Sequence, residues 1–105
     1  MAIMGELEQA VMDVLWSTAD QFSVRAVYER LSRDRDLAYT TVMTVLDRLA
    51  KKGLVERTLE HRAWWYRPAN TRVAVVSAEV LDLLNSLTPE DRRAVLAAVA
   101  VAAPG

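Results

Sequence analysis

The chain has 105 residues, 52% of them apolar and 26% charged, with a net charge of −1. That composition is globular and fits one domain, or one domain with a small appendage. It contains no cysteine, which excludes disulfides, thiolate metal sites and cysteine nucleophiles. With only Gly5, Gly53 and Gly105, it has no P-loop and no glycine-rich dinucleotide turn. No metal-ligand cluster or nucleophile–base pair is visible either, so a non-enzymatic protein without cofactor or metal is expected.

No apolar run approaches membrane-spanning length, and Met1 to Met4 followed by Gly5-Glu6-Leu7-Glu8 does not form a signal peptide. A cytoplasmic protein with no membrane insertion is the expectation. Charge is unevenly spread. Residues 37–67 carry Arg48, Lys51, Lys52, Arg57, Arg62 and Arg67 against Asp47, Glu56 and Glu60, a local excess of +3, whereas both flanking segments are acidic.

In chain order, residues 6–16 read as a first helix, with Leu7, Ala10, Val11, Val14 and Leu15 on the buried face. Glu6 and Glu8 lie in its first turn, where the helix dipole favours anions. Trp16 belongs to the core. Residues 18–22 form a connector with room for a short extended piece. Ser23 is the N-cap of a second helix to about Ser32, with Val24, Val27, Tyr28 and Leu31 inward. The charged stretch 32–36 is the turn to the third helix.

The third helix is the most informative part of the chain. Val42, Val45, Leu46 and Leu49 repeat at helical spacing, while Thr40, Thr44, Asp47 and Lys51 centre on the opposite side, flanked by Met43 and Arg48. Hydroxyls at one end and cations at the other suit a helix laid in a DNA groove. Thr40, Thr41, Met43 and Thr44 are placed for bases and phosphates, and Arg48, Lys51 and Lys52 for phosphates. An ordinary solvated face is the competing reading. Tyr39, at the helix start, meets a phosphate or covers the helix junction. Gly53 fits the left-handed position that ends the helix.

Residues 54–59 and 63–67 then read as two strands around the short loop Glu60-His61-Arg62, ended by Pro68. Trp64 and Tyr66 share one strand face and are expected to pack on the helices, leaving Trp65 and Arg67 on the other. His61, the single histidine, reads as a solvated loop residue, and Arg62 at the tip as the better contact to a minor groove or phosphate. Three helices followed by a hairpin are the order of a winged helix-turn-helix, with the third helix in the major groove. Asn70 or Thr71 caps a fourth helix to about Leu84, and Thr88-Pro89-Glu90-Asp91 starts a fifth. Both have more apolar residues than a solitary appendage buries, and pairing with a second copy resolves that.

Residues 5–16, 37–44 and 46–55, with Arg62-Ala63 and Tyr66-Arg67-Pro68, resemble the BlaI/MecI/CopY family of penicillinase repressors. The resemblance covers residues 5–68 with few gaps and is specific through the order and spacing of its pieces. It implies a mainly α fold with a small β-hairpin: a winged-helix DNA-binding domain over residues 1–68 and C-terminal dimerisation helices over residues 69–105. It also implies a homodimeric repressor on double-stranded, inverted-repeat operator DNA at resistance or stress genes, working at the bacterial nucleoid. The candidate dimer residues are Val76, Val80, Leu81, Leu84, Leu87, Val95, Leu96 and Val99.

The C-terminal segment is shorter than the family's usual one, for which a weaker or differently packed dimer is expected. Beta-lactam members are relieved through a membrane sensor protease, an upstream partner the resemblance brings with it, yet Asn85-Ser86-Leu87 does not match their cleavage motif. The cysteine cluster of copper-responsive relatives is absent. A winged helix that binds proteins rather than DNA is the rival reading, and a steep salt dependence of DNA affinity separates the two.

Overall fold

A computed structural model describes residues 4–105, which form two compact units, Met4–Arg72 and Val73–Gly105. The first unit holds α1 (Glu6–Trp16), β1 (Phe22–Ser23), α2 (Val24–Leu31), α3 (Tyr39–Lys51), β2 (Val55–Glu60) and β3 (Ala63–Pro68). This is a winged helix-turn-helix.

Local chemistry sets the helix ends. The Ser23 hydroxyl accepts the Ala26 N–H at 3.1 Å and caps α2. Gly5 has no side chain with which to cap α1; instead the Glu8 carboxylate reaches back to the Gly5 N–H at 3.1 Å. At the end of α3, Gly53 has φ of +76°, and Leu54 N–H and Gly53 N–H bond to the carbonyls of Leu49 and Ala50, both at 3.0 Å. That is a Schellman ending, for which a residue without Cβ is favoured.

The core joins Val11, Met12 and Leu15 of α1, Val27 and Leu31 of α2, Val42, Val45, Leu46 and Leu49 of α3, and Phe22, Val55 and Tyr66 of the sheet. The buried face of α1 is rotated from the expected one. Leu7 and Ala10 are half-buried, whereas Glu8 and Met12, one turn apart, are inside. A carboxylate tolerates that position because Lys52 supplies an opposite charge there.

The sheet differs from the expected hairpin. It has three antiparallel strands in the order β1-β3-β2, because Phe22 and Ser23 pair with Tyr66 and Trp65. Glu60 pairs with Ala63, so the hairpin turns on His61 and Arg62, with φ of 50° and 65°. Two left-handed residues give a two-residue turn the twist of its strands. Tyr66 packs inward as expected, but Trp64 on the same face is 43% exposed, and Trp65 is half-buried. The strand outruns the core below it, so alternation predicts the face but not how far it stays covered. Trp16 is half-buried at the core margin, where its indole N–H donates to the Asn70 carbonyl at 2.9 Å and Arg72 lies over its ring.

The remaining elements are α4 (Arg72–Asn85) and α5 (Pro89–Ala102). The Thr88 hydroxyl accepts the Asp91 N–H at 3.1 Å with Pro89 in the first turn, as that sequence demands. Arg92 donates to the carbonyls of Leu84 and Leu87, both at 3.0 Å, satisfying acceptors where α4 ends. Among the expected dimer residues, Leu84 is buried in the single chain and Leu87 is half-buried. Val76, Val80, Leu81, Val95, Leu96 and Val99 are exposed. No helix among the described residues is long and apolar enough to cross a membrane.

Candidate nucleic-acid interface

Because Val42, Val45, Leu46 and Leu49 take the core side of α3, Tyr39, Thr40, Thr41, Met43, Thr44, Arg48 and Lys51 are left on its outside. The ridge has a cleft on either flank. One lies against the start of α1 and is lined by residues 5–8 with Thr40, Thr41, Thr44, Val45 and Arg48. The other lies against the sheet, between Met43, Thr44 and Asp47 on one wall and Arg57, Trp64 and Tyr66 on the other, with Val24. Thr44 borders both and stands at the crest.

The Thr44 hydroxyl donates to the Thr40 carbonyl at 3.0 Å. Its proton is thereby engaged and its lone pairs face outward, so a partner meets Thr44 as an acceptor. Met43 is 47% exposed beside it, an apolar group of the kind that suits a thymine methyl. Tyr39 stands edge-on to Tyr28 with 5.5 Å between ring centroids, and the Arg25 guanidinium lies over its ring.

The cations fall into three groups. Arg48 and Arg62 make no ion pair among the described residues, and Arg62 projects from the hairpin tip. Lys51 bonds Asp47 Oδ2 at 3.0 Å, while Arg57 reaches Asp47 Oδ1 at 3.4 Å and lies over the Trp64 ring. The Lys51 hydrogen bond and charge hold the Asp47 carboxyl below its ordinary value, against an opposing effect of desolvation and with a further contribution from Arg57. Lys52 departs from the expected role: its ammonium sits 2.9 Å and 3.1 Å from the two oxygens of Glu8. Burial pushes the Glu8 carboxyl up, but the Lys52 bond, the Gly5 N–H and the charges of Lys52 and Arg48 outweigh it and leave the pKa lowered. Lys52 therefore ties the end of α3 to the start of α1 and is not a free cation of the outer face.

The structure thus gathers eight of the nine sequence-predicted contact residues along α3 and the hairpin tip, and ties the ninth, Lys52, to the buried carboxylate of Glu8. Arg57, Trp64 and Arg25 join this surface without having been assigned to it, and Asp47, read on the outer face of α3 but given no role there, pairs with its cations. The signal for Arg57 was present, since Val55, Arg57 and Leu59 alternate onto the face that Tyr66 shares.

Residues 4–103 match the family model described as penicillinase repressor. The chain belongs to the penicillinase repressor family. The transcriptional regulator BlaI of Mycobacterium tuberculosis, in two strains, is 53% identical to it over 81 residues, which are 77% of this chain and 59% of that relative. The chain therefore spans about three-fifths of the length of those curated relatives. Among solved structures, the monomeric form of Bacillus licheniformis BlaI in complex with the blaP half-operator is similar with a TM-score of 0.57 at 28% identity. That match covers 68% of this chain and 85% of the other. A complex structure of hsRosR-S1 shares the fold, with a TM-score of 0.60 at 20% identity over 93% of this chain and 89% of the other. The outer face of α3 in this penicillinase repressor family member is thus carried on a fold that BlaI uses on operator DNA.

Proposed function

We propose that this chain is a homodimeric transcriptional repressor that binds inverted-repeat operator DNA and controls antibiotic-resistance or stress genes. The observation that carries the reading is the outer face of α3, where Thr40, Thr41, Met43, Thr44 and Arg48 are all exposed and Arg48 makes no ion pair among the described residues, with Arg62 likewise exposed and without an ion pair at the hairpin tip. In this reading α3 enters the major groove, its hydroxyls and Met43 meet base edges, and Arg48 and Lys51 hold phosphates. Tyr39 approaches a phosphate at the helix start. Arg62 reaches the minor groove or the next phosphate from the wing.

Residues 1–68 supply DNA binding and residues 69–105 the dimer contact. Exposed Val76, Val80, Leu81, Val95, Leu96 and Val99 are the support for pairing, since water-facing apolar side chains on two adjacent helices gain from a second copy. Two copies then read half-sites about one helical turn or more apart. The protein acts at the nucleoid in the cytoplasm and is not an enzyme. A membrane sensor protease as upstream partner rests on the family alone, because Asn85-Ser86-Leu87 lacks the family's cleavage motif.

The test is a fluorescence-anisotropy titration with DNA from upstream of the gene and shuffled DNA, at several salt concentrations, with sedimentation of the free protein. Tight, salt-sensitive binding that prefers the native sequence, and a dimer dissolved by Leu81→Asp, are expected. Weak binding without salt dependence transfers the surface to a protein partner.

A further inference from the structure

Asp47 is an acid in the middle of the surface proposed to meet phosphate. It projects from the outer face of α3, half-exposed, with one oxygen 3.0 Å from Lys51 Nζ and the other 3.4 Å from an Arg57 guanidinium nitrogen. Lys51 belongs to the groove helix and Arg57 to the wing strand β2, so a single carboxylate holds one cation from each. The Arg57 guanidinium is also fixed from the other side, 4.7 Å from the centroid of the Trp64 ring. Trp64 is itself 43% exposed and stands opposite Met43 and Asp47 across the cleft.

We propose that Asp47 is an internal stand-in for a DNA phosphate. Its carboxylate occupies the anion position between Lys51 and Arg57 in the free protein, and a backbone phosphate of duplex DNA competes for the same two cations. Arg57 is thereby a DNA-contact residue, held in place over the Trp64 ring, and Asp47 is the positioning residue that keeps both cations aimed while neutralising part of their charge. The arrangement weakens purely electrostatic attachment to any duplex, which leaves the base contacts of α3 to decide where the protein stays. This inference rests on the DNA-binding reading of the surface and adds a cost to it that the contacts alone do not contain.

The experiment measures binding of the full chain to a short random-sequence duplex over a range of salt, for the wild type, Asp47→Asn, Arg57→Gln and the double variant. Thermal unfolding of each confirms that it is folded. Asp47→Asn keeps the shape and an acceptor oxygen but removes the charge. It is expected to tighten random-duplex binding about 3- to 10-fold at low salt and to steepen the slope of log K against log salt by about one. Arg57→Gln is expected to flatten the slope, and to do so more in the Asp47→Asn background, where the guanidinium is released to phosphate. A wild type with clear salt-dependent binding, and an Asp47→Asn protein with the same affinity and slope, overturns the stand-in while leaving the DNA reading intact. A folded wild type without salt-dependent duplex binding overturns both.

Discussion

The Lys52 ammonium lies 2.9 Å from Glu8 Oε2, joining the residue that caps the end of α3 to the first turn of α1. Glu8 is 6% exposed, and its carboxylate also accepts the Gly5 N–H that α1 leaves unpaired at its start. One carboxylate therefore closes a helix end and fixes the angle at which the groove helix leaves the core. Lys52→Met retains most of the aliphatic stem but strands a buried charge. A loss of ~1–3 kcal/mol is expected, toward the lower figure because Lys52 is about a third exposed and water screens the pair. Chemical denaturation checks this. The slope of DNA affinity against salt should stay at its wild-type value in Lys52→Met, whereas Lys51→Ala should flatten it. A flattened slope in Lys52→Met would return that ammonium to the phosphate-binding set.

The same pair sets an acid limit on stability. The folded-state pKa of Glu8 is lowered, so folding favours its ionised form. Its contribution is fully present above the ordinary carboxylate value of the unfolded chain and is lost as pH falls through the lower folded value. Wild-type melting temperature should therefore be steady near neutrality and fall once the medium becomes acidic enough to protonate Glu8. In Glu8→Gln the melting temperature should start lower at neutral pH and decline less over the same acid range. Parallel curves for the two proteins across that range would assign the acid limit to other carboxylates.

The sequence carried the elements because its local signals agree: Ser23 and Thr88 cap helices, Gly53 ends one, and the period of Val42, Val45, Leu46 and Leu49 aims α3. What it did not carry was set by contacts between distant residues. The burial of Glu8 depends on Lys52, 44 positions away: Glu8 stays in the first turn of α1 as read, but Lys52 is drawn from the phosphate role read for it. The pairing of Phe22 with Tyr66 makes a third strand from two residues too few to show a period. Trp64 shares a strand face with Tyr66, yet Tyr66 is buried and Trp64 is exposed, a difference set by how far the core extends beneath the strand and not by alternation. For the candidate site, the outer face of α3 was legible from periodicity alone. The Asp47–Arg57–Trp64 arrangement was not, because it spans a helix and two strands whose separation no local pattern encodes.

The hairpin tip trades stability for a cation. His61 and Arg62 both lie in the left-handed region, with φ of 50° and 65°, where a side chain costs energy that glycine avoids. Arg62→Gly should accordingly raise stability by about 0.5–1 kcal/mol in thermal or chemical unfolding. The same substitution should weaken DNA binding broadly, on native and random duplexes alike, and flatten the salt slope by about one. Arg62→Ala, which keeps a Cβ in the strained conformation, should lose the binding without the gain in stability. Unchanged affinity in both variants would remove the wing tip from the interface.

Thr44 stands where the two clefts of α3 meet, and its proton is already spent on the Thr40 carbonyl. What remains for a base is an acceptor, which matches the amino groups of adenine or cytosine in the major groove and not the acceptor edge of guanine. Thr44→Val removes that acceptor at nearly constant volume and frees the Thr40 carbonyl from the extra bond, so the helix itself should be no less stable. On native upstream DNA the expected loss is about 1–3 kcal/mol, confined to the base pair that Thr44 reads, and substituting that pair should erase the difference from wild type. Random DNA should be bound as before, because phosphates supply that affinity. Equal losses on native and random DNA would make Thr44 a backbone contact, and the reading of sequence would then fall to Thr40, Thr41 and Met43.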